Sequence, residues 1–145
     1  MRRLMAAIAT MALAGCASMG DSVRQPVGED KVVYHLNAGI EQATNGIRNI
    51  RNHLEVNPKA KIVVVAHAQG VDYLMKGMKD KNGNPYQDAV EDLKNQGVRF
   101  DVCEITLRNR KLTREQFIED ATFVPSGVAE ITRLQQREGY AYLRP

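Results

Sequence analysis

The sequence lacks the signatures of several large classes of protein. Lysine and arginine are interspersed with aspartate and glutamate along its 145 residues, and no basic block or basic-aromatic stripe occurs, so nucleic acid is not expected as a partner. Neither of the common glycine-rich phosphate-binding loops is present. There is no internal repeat and no low-complexity segment. Cysteine is also scarce. The chain has only Cys16, near the N-terminus, and Cys103.

The first sixteen residues have the layout of a bacterial secretory signal. Arg2 and Arg3 form a basic head, an apolar run occupies residues 4–13, and small residues lead to Cys16. The run is shorter than the roughly 20 residues that a membrane-spanning helix needs. Leu13-Ala14-Gly15-Cys16 resembles the lipobox of bacterial lipoproteins, which implies that Cys16 is lipidated and becomes the first mature residue. The alternative is an ordinary secretory signal with an incidental cysteine.

The lipidated cysteine divides the chain into three parts. Residues 1–15 are predicted to be the signal peptide, residues 16–30 a lipidated polar tether, and residues 31–145 one folded domain with a sizeable core. Ala17 follows the cysteine, and by resemblance to known lipoproteins this favours the periplasmic face of the outer membrane. Cys103 then has no partner for an intrachain disulfide, which is unusual for a thiol in an oxidising compartment.

Strand and helix patterns alternate through the rest of the chain. Short apolar or alternating runs predict strands, and apolar residues spaced three and four apart predict amphipathic helices. The predicted strands are residues 31–37, 61–66, 98–103, 122–124 and 140–143. The predicted helices are residues 40–56, a stretch from about 70 to 78, and residues 85–96, 113–120 and 128–138, the last with Val128, Ile131 and Leu134 facing the core. This order predicts a single three-layer α/β domain with a mainly parallel sheet covered by helices on both faces.

In such a sheet, ligands bind beyond the carboxyl ends of the strands. Four predicted strands end there in residues of possible function: Asn37, His67, Cys103 and Ser126-Gly127. These positions follow from the strand ends and not from any spacing motif. The alternative for His67 is a hydrogen-bonded histidine at this edge with no chemical role.

Cys103 is the candidate nucleophile of the domain. A thiol near its ordinary pKa of about 8.5 is already a few per cent ionised at neutral pH. His67 is expected to share a proton with this thiol or to stabilise its thiolate. The polar, basic segment Arg108-Asn109-Arg110-Lys111, or a helix N-terminus, is expected to lower its pKa further. The alternative is that Cys103 packs as a small buried apolar residue.

Two sharper interpretations fail on the residues present. Ala66-His67-Ala68-Gln69-Gly70 has the outline of a hydrolase nucleophile elbow, but Ala68 stands at the serine position. His35, His67 and Cys103 have no local ligand spacing, so no metal site is expected. The sequence points to no cofactor.

From Lys31 to Pro145 the chain resembles the DsrE/DsrF-like sulfur-relay family, particularly its small stand-alone members. The resemblance rests on KIVVVAHAQGVDYL, on GVRFDVCEITLRNRKL and on the ending VPSGVAEITRLQQREGYAYLRP. It implies that Cys103 stands where sulfur-carrying members hold their persulfide cysteine, and that the protein forms a homo-oligomer, often a trimer or hexamer in this family. Some members relay sulfur in sulfur oxidation or in tRNA thiolation.

The leader changes what this resemblance implies, because a protein exported to the periplasm cannot serve a cytoplasmic tRNA-modifying relay. We therefore expect a lipid-anchored, periplasm-facing protein that carries or transfers sulfane sulfur, or performs other thiol redox chemistry, on Cys103. Its sulfur donor and acceptor protein are not identified by the sequence. The alternative is a lipid-anchored binding or assembly module in which Cys103 is structural.

Overall fold

The structure, a computed structural model, describes residues 28–145. The predicted signal peptide, Cys16 and most of the tether lie outside these residues. The described chain is an α/β fold in which one sheet of five parallel strands carries helices on both faces. This confirms the fold class predicted from the sequence.

The strands run β1 (Lys31–Leu36), β2 (Lys61–Ala66), β3 (Arg99–Cys103), β4 (Ala121–Val124) and β5 (Ala141–Leu143). The α-helices are α1 (Ile40–Val56), α2 (Tyr86–Asn95), α3 (Glu104–Arg110) and α4 (Gly127–Glu138), and two 3₁₀ helices span Ala68–Leu74 and Arg114–Gln116. The strand order β4-β3-β2-β1-β5 places β2 at the centre of the sheet. Within residues 28–145, no helix is long and apolar enough to cross a membrane.

The two faces of the sheet are filled by alternate residues of the same strands. Val64 of β2 belongs to a large core that includes α1, α2 and the first 3₁₀ helix. Its neighbour Val65 belongs to a second cluster with Ile131 and Leu134 of α4. Because β2 is covered on both sides, its sequence is apolar throughout, as is typical of a central parallel strand.

The first 3₁₀ helix approaches the end of β1 unusually closely. A Cβ atom on Gly70 would lie 2.1 Å from the carbonyl oxygen of Leu36. A backbone oxygen cannot rotate away, so only glycine fits at this position. The contact holds the segment after β2 beside the end of β1, at the carboxyl edge where the candidate site forms.

Three helical predictions need correction. The stretch near residue 70 is the 3₁₀ helix Ala68–Leu74, and the helix expected at 113–120 is only the 3₁₀ turn Arg114–Gln116. A capping box of Thr113 and Gln116 is present there, in which the backbone N–H of Thr113 donates to Oε1 of Gln116 at 2.8 Å. Val128 is 60% exposed, so it does not face the core.

Helix α3 is not among the elements that the sequence predicts. Its seven residues, EITLRNR, begin directly after the last residue of β3. Two helical turns are too short to show an apolar period, and tertiary contacts rather than sequence pattern stabilise helices of this length. The missed helix matters because Cys103 is its N-cap residue.

Candidate functional site

A cavity of about 680 Å³ opens at the carboxyl edge of the sheet. The segments that follow β2, β3 and β4 meet there, as expected for a parallel α/β fold. Its wall includes the following residues: His67, Cys103, Thr106, Asn109, Arg110 and Ser126. The structure therefore brings together several of the residues that the strand ends predict, although they come from three separate loops.

Cys103 is the last residue of β3 and the cap of α3. It is only 5% exposed, yet it belongs to the cavity wall. It is a free thiol, and it is the single cysteine among residues 28–145. Its backbone has extended angles of φ −73° and ψ 116°, which end the strand and start the helix at one residue. The thiol thus lies where the cavity meets the first turn of α3.

The pKa of Cys103 is lowered from its ordinary value by hydrogen-bond donors around the sulfur. Burial acts in the opposite direction and raises the pKa. The backbone N–H groups of Gly127, Thr106 and Ile105, together with the Thr106 hydroxyl, donate to the thiolate and outweigh the burial. These amides belong to the first turns of α3 and α4, so the N-termini of two helices converge on one sulfur atom.

Thr106 has a fixed orientation toward this sulfur. Its Oγ1 accepts a hydrogen bond of 2.9 Å from the backbone N–H of Ala68. The oxygen is used there as an acceptor, so the hydroxyl proton is available to Cys103. Ala68 has a left-handed φ of 51°, which is uncommon for a residue other than glycine and is typical of strained positions at functional sites. The segment thus has the sharp turn of a nucleophile elbow, but it supplies an amide donor instead of a serine.

Gly127 lies between Cys103 and His67. A Cβ atom at this position would be 3.3 Å from the Cβ of Cys103 and 3.3 Å from the Cβ of His67. Those two atoms are fixed by the backbone and cannot move aside. The absence of a side chain lets the N-terminus of α4 approach the thiol closely enough to donate its N–H group.

His67 lies in the cavity wall, but its hydrogen bond is to another histidine. Its Nε2 is 2.6 Å from Nε2 of His35, and Nδ1 of His35 is 2.6 Å from the hydroxyl of Tyr142. Burial lowers the pKa of His67. Burial, His67 and Arg144 together lower the pKa of His35 to about 4. Both rings are therefore neutral near pH 7, and His67 does not stabilise the thiolate as a cation.

The other predicted supporting residues differ in their positions. Asn109 and Arg110 line the cavity, whereas Arg108 is exposed and lies outside its wall. Arg110 forms a salt bridge of 2.6 Å with Asp72, which neutralises its charge locally. The donors that lower the pKa of Cys103 are therefore amides and a hydroxyl, and not the basic segment. Asn37 is also outside this cavity, and its Oδ1 accepts hydrogen bonds from Arg144 at 3.0 and 3.1 Å.

Two residues of this region, Thr106 and His35, are not identified as site residues by the sequence pattern. Thr106 was not singled out because the helix that carries it was not predicted. His35 was considered only as a metal ligand, although its place near the end of β1 puts it beside the residue that follows β2. The parallel register of β1 and β2, with His35 opposite Val65, is the signal that identifies this neighbour.

The fold and the site define a small parallel α/β protein with a thiol of lowered pKa in a cavity at the carboxyl edge of its sheet. The family comparison agrees with this class. The model of the DsrE/DsrF-like family matches residues 4–145, and the chain belongs to that family. The search of curated proteins found no match.

Two solved structures are similar to this chain. The first is a protein of unknown function, MTH1491 from Methanobacterium thermoautotrophicum, with 35% sequence identity and a TM-score of 0.71. That alignment covers 80% of this chain and 99% of the other. The second is the ychN protein from E. coli, with 17% identity and a TM-score of 0.64 over 79% of this chain and 99% of the other. The second likeness shows the fold alone.

Proposed function

We propose that this protein carries sulfane sulfur as a persulfide on Cys103 and transfers it to an acceptor. The observation that carries this proposal is the set of donors around the sulfur, which favours the thiolate inside an open cavity. Membership of the DsrE/DsrF-like family, which is associated with sulfur relay, supports it. A thiolate is the nucleophile that sulfur transfer requires.

The transfer step balances without an external oxidant or reductant. The Cys103 thiolate attacks a sulfane sulfur of the donor and forms a new S–S bond at Sγ. The bond between that sulfur and the rest of the donor breaks, and its electron pair leaves with the shortened donor. With an inorganic polysulfide, the thiol becomes a perthiolate and the donor leaves one sulfur atom shorter, carrying the proton that the thiol has lost.

The cavity offers apolar surface to the sulfur chain of a donor. Ile105 and Val128 are exposed by 38% and 60% and contribute apolar surface to its wall. Arg110 is paired with Asp72 and offers no free cation to an anion. A chain of divalent sulfur atoms is polarizable and weakly hydrated, so it fits apolar surface of this kind.

The test is direct detection of the persulfide. The full-length protein is incubated with inorganic polysulfide, and peptide mapping by mass spectrometry is expected to show Cys103 about 32 Da heavier. The Cys103→Ser variant should lose this product. A Cys103 that reacts with an alkylating reagent only after unfolding would contradict the proposal, and the domain would then be a binding module with a structural cysteine.

The same proposal includes the membrane anchor. We infer from Leu13-Ala14-Gly15-Cys16 that Cys16 is lipidated and that the domain faces the periplasm from the outer membrane. Intact mass of the protein isolated from cells is expected to show an acylated chain beginning at Cys16, and Cys16→Ser should block both lipidation and processing. A mature chain that begins elsewhere, or that carries no acyl mass, contradicts the anchor but leaves the chemistry of Cys103 intact.

A further inference from the structure

Three ring side chains form a continuous line from the cavity to the opposite side of β1. His67 lies in the cavity wall, His35 lies behind it, and Tyr142 of β5 is 41% exposed. Each joins the next by a distance of 2.6 Å between polar atoms. Within residues 28–145, Nδ1 of His67 has no hydrogen-bond partner. The line therefore has one free end at the cavity and the other at the protein surface.

The two imidazole rings meet through their edges. Their planes differ by 26° and their centroids are 4.7 Å apart. Stacked rings keep their atoms about 3.5 Å apart, so an Nε2–Nε2 distance of 2.6 Å excludes face-to-face packing. One Nε2 must donate and the other must accept, since two lone pairs or two protons at this distance repel each other.

Valence allows two neutral arrangements of protons along this line. In the first, Tyr142 donates to Nδ1 of His35, His35 donates through Nε2 to His67, and Nδ1 of His67 carries a proton. In the second, His67 donates through Nε2 to His35, His35 donates through Nδ1 to the Tyr142 oxygen, and Nδ1 of His67 is a free base. The first arrangement becomes the second when Nδ1 of His67 releases its proton to a group in the cavity, the protons between the rings shift along their hydrogen bonds, and Tyr142 takes a proton from water. The reverse shift takes up a proton at Nδ1 of His67 and returns one to water at Tyr142.

The surroundings of the pair favour this shift over formation of a cation. His35 faces Tyr142 and Arg144 on one side and His67 on the other, and Arg144 disfavours a positive charge. His67 faces the cavity, whose other titratable groups are Cys103, Asp72 and Arg110, the last two paired with each other. Passing the proton along the line avoids an imidazolium in a half-buried site, where burial alone penalises the charge.

We propose that His67 and His35, connected to Tyr142, are the proton relay of the Cys103 cavity. His67 takes the thiol proton when sulfur enters and returns a proton to the leaving group, and His35 acts through His67 as a positioning residue. This inference rests on the proposed sulfur transfer and adds the groups that move its proton. The cycle balances, because the proton lost by Sγ is the proton gained by the shortened polysulfide, and the relay returns to its starting arrangement.

The test compares two reagents that differ in what their leaving group requires. The shortened polysulfide is a poor leaving group as a dianion and a better one once protonated, whereas an aromatic disulfide expels a thiolate that is stable at neutral pH. Single-turnover rates at Cys103 are measured with both reagents at pH 7 for the full-length protein. The variants are His67→Gln, His35→Gln and Tyr142→Phe. The matched control is His53→Gln, since His53 is also half-buried and bonded to a tyrosine, Tyr34, but lies on α1 outside the cavity wall.

General acid–base catalysis typically raises a reaction rate by about 10²- to 10⁴-fold. His67→Gln and His35→Gln should therefore each slow sulfur transfer from polysulfide by about tenfold or more. Both should slow the aromatic disulfide reaction clearly less, because that leaving group needs no proton and only removal of the thiol proton is affected. Tyr142→Phe should show a smaller loss with polysulfide than either histidine variant. The control should change neither rate. High concentrations of imidazole should restore part of the rate of a further variant, His67→Ala.

The failure of the relay and the failure of the proposed function are distinguishable. If wild type takes up sulfur and His35→Gln does so equally fast, the relay is wrong and the persulfide function stands. Equal slowing with both reagents also overturns the relay, because the histidines then return no proton to the leaving group. If wild type reacts with the aromatic disulfide but never accepts sulfur from polysulfide, the proposed function fails and this inference fails with it.

Discussion

At the scale of single residues, Thr106 is the side chain that acts directly on the Cys103 thiol. Its hydroxyl is oriented by the amide of Ala68 and donates to the sulfur, so it stabilises the thiolate more than the neutral thiol. This role needs no charged residue. The hydrogen bond from Thr106 also helps to explain why the pKa of Cys103 is lowered, although this cysteine is nearly buried and the nearby histidine is neutral.

The first prediction concerns this hydroxyl. Thr106→Val keeps the shape of the side chain but removes the donor, so the thiol pKa should rise. A hydrogen bond to a charged group contributes about 1.5 to 3 kcal/mol, part of which the remaining amides and water replace, so alkylation at pH 7 should slow by about three- to tenfold. The pH dependence of alkylation by iodoacetamide measures the effect. Thr106→Ser should keep most of the wild-type rate, and a Val variant as fast as wild type would remove Thr106 from the site.

A second prediction at this scale concerns pH and stability. The pKa of His35 is lowered to about 4 in the folded protein, so the unfolded chain binds a proton before the folded chain does. The stability due to the neutral ring is therefore complete above about pH 6.5 and is lost as the pH falls toward 4. The ring is half-exposed, and with solvent screening the loss is about 1 to 2 kcal/mol.

Urea unfolding between pH 7 and 4 measures this contribution. His35→Gln should flatten the fall in the free energy of unfolding relative to wild type over this range. The comparison between the two proteins is needed because buried Asp101, whose pKa is raised by burial, acts in the opposite direction. An unchanged slope in the variant would show that the ring is not held neutral.

At the scale of elements, the site depends on where two helices begin. Helix α3 starts at the residue after Cys103, and α4 starts at Gly127. Helix α4 is held over β3 by charges, since Arg99 donates to buried Asp101 at 2.9 Å and to Glu130 at 2.8 Å. Ser126 caps the same helix by accepting a hydrogen bond from the N–H of Ala129. These contacts fix the direction in which the Gly127 N–H points.

The prediction for this element is made at Gly127. In Gly127→Ala, the new Cβ lies 3.3 Å from two backbone-fixed Cβ atoms, so the start of α4 must move away from Cys103. We expect slower alkylation of Cys103 at pH 7 and a loss of about 1 kcal/mol in the free energy of unfolding. Gly39→Ala is the control, because Gly39 lies at the start of α1 as its N-cap residue and a Cβ there meets no atom within 4 Å. Alkylation as fast as in wild type would show that the α4 amide does not act on the thiol.

At the scale of the whole molecule, the remaining proposal is self-assembly. The short edge strand β5 is exposed at Tyr142 and Leu143, and Ile105 and Val128 are exposed beside the cavity. Apolar side chains of this kind are commonly covered in an assembly. The resemblance to DsrE/DsrF-like proteins implies a closed homo-oligomer.

Light scattering on the purified protein tests this proposal. A trimer or a dimer of trimers is expected at micromolar concentration, with an interface that includes at least one of these exposed residues. Ile105→Asp or Val128→Asp, each placing a charge on the surface, should weaken the assembly while leaving the fold unchanged. A wild-type monomer at micromolar concentration would contradict the proposal.

Much of the fold and part of the site were predictable from the sequence. The apolar run of β2 and the alternation in β3 predicted parallel strands, and the rule for strand ends placed His67, Cys103 and Ser126 at one edge. It also placed Asn37 there, but Arg144 binds Asn37 outside the cavity. The sequence offers both the basic segment and a helix N-terminus as causes of a lowered thiol pKa, but it does not show which backbone amides point at Cys103.

The sequence by itself determined the properties that depend on the pattern along the chain. These are the order of strands and helices, the burial of β2 on both faces, and a single cysteine at the end of a strand. Only the tertiary structure decided what surrounds that cysteine. Hydrogen bonds act over about 3 Å, and the groups that meet at this edge are far apart in the chain. His35 and His67 are 32 residues apart, and Ala68 and Thr106 are 38 apart. The donors to the thiolate and the line of rings behind it exist only where parallel strands bring their ends together.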